Sequence, residues 1–154
     1  PLDHGTEIDL HIPALFPEDY LPDVHTRLIL YKRIAGAKDR EALNELKEEV
    51  IDRFGLLPEP AKNLFKLTAL KIRATPLGIR KIDLGREGGQ VHFHAQPNID
   101  PAAIIRLVQS RPQNFRFEHD NRLRILGDRA DAEETRIQRL DHLLDTLSLQ
   151  SSSS

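Results

Sequence analysis

Apolar positions along this chain follow three successive rhythms. At the start, Ile8, Leu10 and Ile12 alternate with Asp9 and His11, which predicts a half-buried strand between Thr6 and Pro13. Pro13 and Pro17 stop that strand, and Phe16 and Tyr20 are expected to anchor an irregular connection. From Asp23 to Arg73 the period is helical. Asp23 can cap a first helix, with Leu28, Tyr31, Ile34 and Ala35 at helical spacing. Gly36-Ala37-Lys38 closes it, and Asp39 can cap a second helix whose Leu43, Leu46, Val50 and Phe54 share one buried face. Gly55 sits where a helix end wants a left-handed residue, and Pro60 suits the first turn of a third helix. Ala61, Leu64, Phe65, Thr68 and Ile72 mark that helix, and Thr75-Pro76 ends it.

Beyond Pro76 the period becomes two again. Ile79 to Leu84 and Gln90 to Ala95 flank a Gly-rich turn, Gly85 to Gly89, which predicts a β-hairpin. Asp100-Pro101 opens a fourth helix with Ile104, Ile105, Leu107 and Val108 as its apolar face. Phe115 and Phe117, then Leu123 and Ile125, flank His119-Asp120-Asn121 and predict a second hairpin. A last helix is expected from about Asp131 to Leu147, with Ile137, Leu140, Leu144 and Leu147 inward. Strands and helices mix without regular βα alternation, so the class is α+β. The expected architecture is three helices packed with two β-hairpins, an N-terminal strand and two further helices. Residues 1–5 are expected to be a linker, 6–147 a single domain, and 148–154 a disordered tail ending in a Ser run.

Composition narrows the classes. A chain of 154 residues is the size of one domain, and 39% hydrophobic content suffices for a core. A net charge of −2 argues against a strongly basic nucleic-acid module. With no Cys there is neither a disulfide framework nor a thiolate metal site, which fits a reducing compartment. No apolar run reaches the ~18 residues of a membrane span, and no signal peptide is visible. The chain starts at Pro1 and has no Met, so it is expected to be a piece of a longer protein.

Candidate chemistry is sparse. His92 and His94 share one side of a strand, as some zinc ligands do, but zinc needs more ligands and none stands at suitable spacing. They read as the polar face of a hairpin. The Gly85 to Gly89 turn joins two strands and lacks the Lys and Ser/Thr of a phosphate-binding loop. Glu18-Asp19 reads as a capping and solvated pair, and no nucleophile stands in a catalytic context. No catalytic, cofactor or metal residue is therefore expected.

Charge is more telling because it is segregated. Between Asp39 and Phe54, Asp39, Glu41, Glu45, Glu48, Glu49 and Asp52 outnumber Arg40, Lys47 and Arg53. Glu41, Glu45, Glu48, Glu49 and Asp52 lie opposite the apolar stripe, within about 100° of arc. Such a face suits a basic partner surface. Between Pro60 and Ile82 there are only bases. An alternative reading places nucleic acid on Lys62, Lys66, Lys71 and Arg73, with phosphate contacts that weaken as salt rises.

The segments RLILYKRIAGA and EVIDRFGLLPEPAKNL, with LFPEDYLPD upstream and LGIRKI before a Gly-Gly turn downstream, resemble the C-terminal domain of the bacterial transcription-repair coupling factors, the Mfd family. The resemblance covers residues 6–147, and Arg27, Tyr31, Lys32, Arg33, Asp52, Arg53, Phe54 and Gly55 all match its motifs. It implies a cytoplasmic parent, a multidomain ATP-driven DNA translocase that displaces RNA polymerase stalled at a DNA lesion and recruits the repair protein UvrA. It further implies that this domain is not an enzyme. It would pack on a UvrB-like N-terminal module of the same chain and mask the surface UvrA uses. Within the domain, Phe54 and Gly55 also have structural roles as core and helix cap, and Arg27 and Arg33 could pair with the acids of the second helix.

Overall fold

The computed structural model describes residues 5–127 and 133–152. It divides into two compact units, one of residues 12–72 and one of residues 1–11 with 73–154. The class is α+β: five α-helices and one five-stranded mixed sheet among the described residues.

The first unit is helical. It holds α1 (Val24–Ala35), α2 (Arg40–Phe54) and most of α3 (Glu59–Ala74). Asp23 and Asp39 cap the first two as expected, their carboxylates accepting from Thr26 N at 3.0 Å and Ala42 N at 2.8 Å. Gly55 closes α2 at φ +97°, a backbone region that side chains disfavour. The core gathers Phe16, Leu21, Leu30, Ile34, Leu43, Val50, Leu57, Ala61 and Phe65. Phe16 lies in a stretch without regular structure, yet its ring meets Tyr31, Tyr20 and Phe65 at centroid distances of 5.4, 6.3 and 6.3 Å. Tyr20 is tied down too, its hydroxyl donating to Gly55 O at 2.7 Å. Two expectations shift. In α1 the inward pair is Leu30 and Ile34, while Leu28 is 59% exposed. In α2 Leu43 and Val50 are buried, but Leu46 and Phe54 are half-buried at the edge of the core.

The second unit is built on the sheet, in the order β1-β2-β3-β5-β4. The hairpins are β2 (Ile79–Gly85) with β3 (Gly88–Phe93), and β4 (Phe115–Glu118) with β5 (Arg122–Leu126). The first turn is tighter than expected, since Gly85 pairs with Gly88 and only Arg86 and Glu87 lie between. In the second turn Asp120 and Asn121 take positive φ, which Asp and Asn tolerate better than most residues. Antiparallel pairing of β3 with β5 fuses the hairpins into one sheet. The N-terminal strand is short, β1 (Glu7–Asp9), and runs parallel to β2. His11, at φ +56°, lies just beyond it.

Alternation holds along β3 and the residue after it: Val91 and Phe93 are buried, and His92 and His94 are not. Helices α4 (Pro101–Ser110) and α5 (Glu133–Ser152) complete this unit, with α4 packed against α5 and β4. Ile137, Leu140, Leu144 and Leu147 of α5 are all buried, joined by Leu143. In α4 the buried residues are Ala103, Ile104 and Leu107, whereas Ile105 is 54% exposed. Helix α5 continues through residues 148–152, where the sequence suggested a tail. Residues 1–4, 153 and 154, and the expected helix start at Asp131, lie outside the described residues. Arg136, which the sequence did not single out, is buried and donates to Leu10 O at 2.7 Å and His11 O at 3.3 Å.

Candidate functional site

The acidic face of α2 is present, and the helix gives it a definite shape. Glu41, Glu45, Glu48 and Asp52 are all exposed and make no ion pair among the described residues. Their spacing places them within about 60° of arc, centred opposite Leu43, Leu46, Val50 and Phe54. At 1.5 Å rise per residue the stripe is about 16 Å long. Four uncompensated carboxylates on one exposed line form a surface that favours a cationic partner.

Glu49 stands apart from this stripe. It lies on the flank that faces α1, where Arg33 grips it through both guanidinium nitrogens at 2.6 and 3.0 Å. Arg53 approaches the same carboxylate at 3.9 Å. The Arg33 hydrogen bond holds the Glu49 carboxyl below the usual range and raises Arg33 in turn. The other motif arginine, Arg27, does not meet the acids of α2. It donates to Leu21 O at 2.7 Å and Pro22 O at 3.1 Å, fixing the chain that enters α1.

The basic residues of α3 do not gather into a matching face. Lys62, Lys66 and Arg73 fall within about 40° of arc, but Lys71 points about 180° from Lys62. Lys62 stands 3.9 Å from Glu59. Arg73 is committed to Asp141 and, at 2.5 Å, to Asp145, and its side chain is only 24% exposed. A guanidinium clamped between two carboxylates is a poor phosphate ligand, so the alternative nucleic-acid face loses one of its four cations.

The two hairpin histidines are separated by environment. Burial, then Arg80, Arg122 and Lys81, hold His92 below its ordinary value of 6.5, and His94 is exposed. Among the described residues no three His, Cys, Asp or Glu side chains come together as metal ligands. His11 behaves oppositely. Its Nε2 lies 2.7 Å from Asp83 Oδ1, and that hydrogen bond raises its pKa against the opposing effect of desolvation. No helix among the described residues is long and apolar enough to cross a membrane.

Comparison with known proteins identifies the family. The family model of the TRCF domain matches residues 10–104, from the end of the first strand into α4. The transcription-repair-coupling factor of Escherichia coli K12 is 44% identical over 133 residues, which is 86% of this chain and 12% of that protein. Its counterpart in Haemophilus influenzae is 42% identical over 141 residues, 92% of this chain and 12% of that protein. The chain thus spans about an eighth of the curated relatives it matches. The crystal structure of a C-terminal domain of transcription-repair coupling factor superposes with a TM-score of 0.80, covering 97% of this chain and 96% of that one, at 18% identity. That likeness shows the fold. On the family model and these relatives together, the chain belongs to the TRCF domain family of transcription-repair coupling factors.

Proposed function

We propose that this chain is a regulatory interaction domain, with residues 6–147 acting as one functional domain of a longer transcription-repair coupling factor. In this reading the domain is not itself an enzyme. ATP-driven translocation along DNA and recognition of stalled RNA polymerase belong to other parts of the parent. The domain rests on the UvrB-like N-terminal module and masks the surface that UvrA uses.

The observation that carries this reading is the stripe of Glu41, Glu45, Glu48 and Asp52, exposed and without ion pairs among the described residues. A fold gains nothing from four aligned, uncompensated carboxylates, and a basic partner surface would complete them. Tethering in one chain supplies a high effective concentration, so a modest electrostatic contact is enough to hold the masked state. A contact of that kind is also readily released when the parent changes shape.

The test uses the full-length parent with Glu45→Lys, Glu48→Lys and Asp52→Lys together. Glu49 is left intact because Arg33 needs it. Exposed substitutions of this kind usually shift stability by about 0.5 kcal/mol or less each. Like charges across the contact cost several kcal/mol, so the mask should open. UvrA should then bind the variant without a stalled polymerase. A folded variant whose UvrA binding stays at the resting level removes α2 from the masking surface.

A further inference from the structure

The sheet ends on one side at β4, whose outer edge pairs with no other strand among the described residues. Hydrogen bonds in an antiparallel pair alternate, so the bonded positions can be located from one known bond. Leu126 N donates to Asn114 O at 2.8 Å, and the register runs Phe115 to Ile125, Arg116 to Arg124 and Phe117 to Leu123. Asn114, Arg116 and Glu118 therefore direct their backbone groups at β5. Phe115 and Phe117 direct theirs outward. The Phe115 N–H is taken by Arg111 O at 3.1 Å, which leaves the Phe117 N–H and the carbonyls of Phe115 and Phe117 facing out.

Beside this open edge lies an apolar groove of about 430 Å3, lined by Pro101, Ile104, Ile105, Val108, Gln109 and Phe117. Ile105 and Phe117 are 54% and 44% exposed. Side chains alternate along a strand, so Phe115 and Phe117 face this helix side and Arg116 faces the other. Arg116 is exposed and makes no ion pair among the described residues. The acid on its own strand, Glu118, is already held by Arg124 Nε at 3.3 Å. The three features share one geometry. An added strand would find unpaired backbone at Phe117, an apolar groove on one face and a free cation on the other.

We infer that the β4 edge and the α4 groove form a docking site for an extended segment of another protein in which apolar and acidic residues alternate. Strand addition gives the main-chain bonds, and the groove and Arg116 select the side chains. A partner residue opposite Phe117 places its side chain in the groove beside Ile105, and its neighbours place carboxylates toward Arg116. This site shares no residue with the acidic stripe of α2 and carries the opposite charge.

The experiment titrates a capped hexapeptide alternating glutamate with isoleucine into the isotopically labelled chain, followed by backbone amide NMR. Saturable shifts should centre on Arg116 to Glu118 and on Ile105 to Gln109. N-methylation of alternate peptide amides, in the register that faces β4, should abolish them. Arg116→Glu and Ile105→Asp, both at exposed positions, should each weaken binding about tenfold or more, as loss of a charge complement or of an apolar anchor would. A hexapeptide alternating lysine with isoleucine should bind more weakly to the unaltered chain. The inference is overturned by an absence of saturable binding up to millimolar peptide, by shifts centred elsewhere, by indifference to N-methylation, or by equal binding of the two peptides.

Discussion

Phe16 and Phe54 make a paired test of where the helical core lies. By pattern alone Phe54 is the stronger core candidate, because it closes the apolar stripe of α2, whereas Phe16 sits in a loop. The structure reverses that order. Phe16 is 2% exposed and its ring touches three other aromatic rings. Phe54 is half-buried, edge-on to Tyr20 at 6.3 Å, with the Arg53 guanidinium 4.8 Å above its ring. Phe16→Ala removes a fully enclosed ring and leaves a cavity, which costs about 3–5 kcal/mol. Phe54→Ala removes about half that buried area at a site that solvent can fill, so about 1–2 kcal/mol is expected. The assay is urea denaturation followed by tyrosine fluorescence. The chain has two tyrosines and no Trp, and both Tyr20 and Tyr31 lie in the helical unit, so the signal reports that unit alone. Slopes unchanged between variants would show that the midpoints measure stability. Equal displacement of the two midpoints, or a larger one for Phe54→Ala, would refute the packing argument.

Three further outcomes follow from named contacts. A double-mutant cycle on Arg33→Ala and Glu49→Ala should give a coupling of about 0.5–1 kcal/mol, the upper part of the range for an exposed pair because the contact is bidentate; a coupling near zero by denaturation would mean that the pair does not join α1 to α2. In an NMR titration His11 should protonate above 6.5 and His92 below it, and Asp83→Asn should bring His11 down. Because the folded pKa of His11 is raised, its contribution to stability is full below about 6.5 and is lost as pH rises through the folded value, while His92 contributes in the opposite sense. Gly89→Ala should destabilise the sheet unit by about 1–3 kcal/mol, since a Cβ there would stand 1.8 Å from Asp83 O and the two strands must part to admit it; an unchanged melting profile by circular dichroism would contradict that close approach.

The sequence carried local information well and non-local information poorly. Caps at Asp23 and Asp39, the stripe of α2 and the alternation of β3 are written in spacings of two to four residues, and all are present. In α1 the run Leu28-Ile29-Leu30 offers more than one helical face, and only packing selects Leu30 with Ile34. The run Ile104-Ile105 in α4 is ambiguous in the same way. Fusion of the hairpins through β3 and β5, and the parallel seat of β1 on β2, join residues far apart in the chain, so no local pattern announces them. For the candidate site, the acidic stripe was legible because one helix supplies all of it. The loss of Glu49 to Arg33 was foreseeable only as a possibility, and the capture of Arg73 by α5 was not, because its partners lie 68 and 72 positions away.

Those captures explain why the overall charge is a weak guide to recognition here. A net of −2 and the near balance of acids with bases suggest a neutral surface. The fold redistributes those charges by committing some of both signs to internal contacts. Arg27 and Arg136 bind backbone carbonyls, Arg33 binds Glu49, and Arg73 binds Asp141 and Asp145. Charges held in this way are partly neutralised and conformationally fixed, so they add little to attraction at a distance. Of the exposed charges that make no ion pair among the described residues, Glu41, Glu45, Glu48 and Asp52 align on α2, and Arg116 stands on the sheet edge. Both sets are exposed, so added salt weakens whatever they attract within a Debye length of about 10 Å at 0.1 M. A tethered partner tolerates that weakening, because its effective concentration does not fall with dilution. A free partner at the β4 edge does not, and must gain its affinity from the backbone bonds and the α4 groove. The two proposed surfaces should therefore separate by salt: an α2 contact with a tethered module would persist at ionic strengths where recognition of carboxylates by Arg116 has faded and only the apolar and main-chain part of strand addition remains.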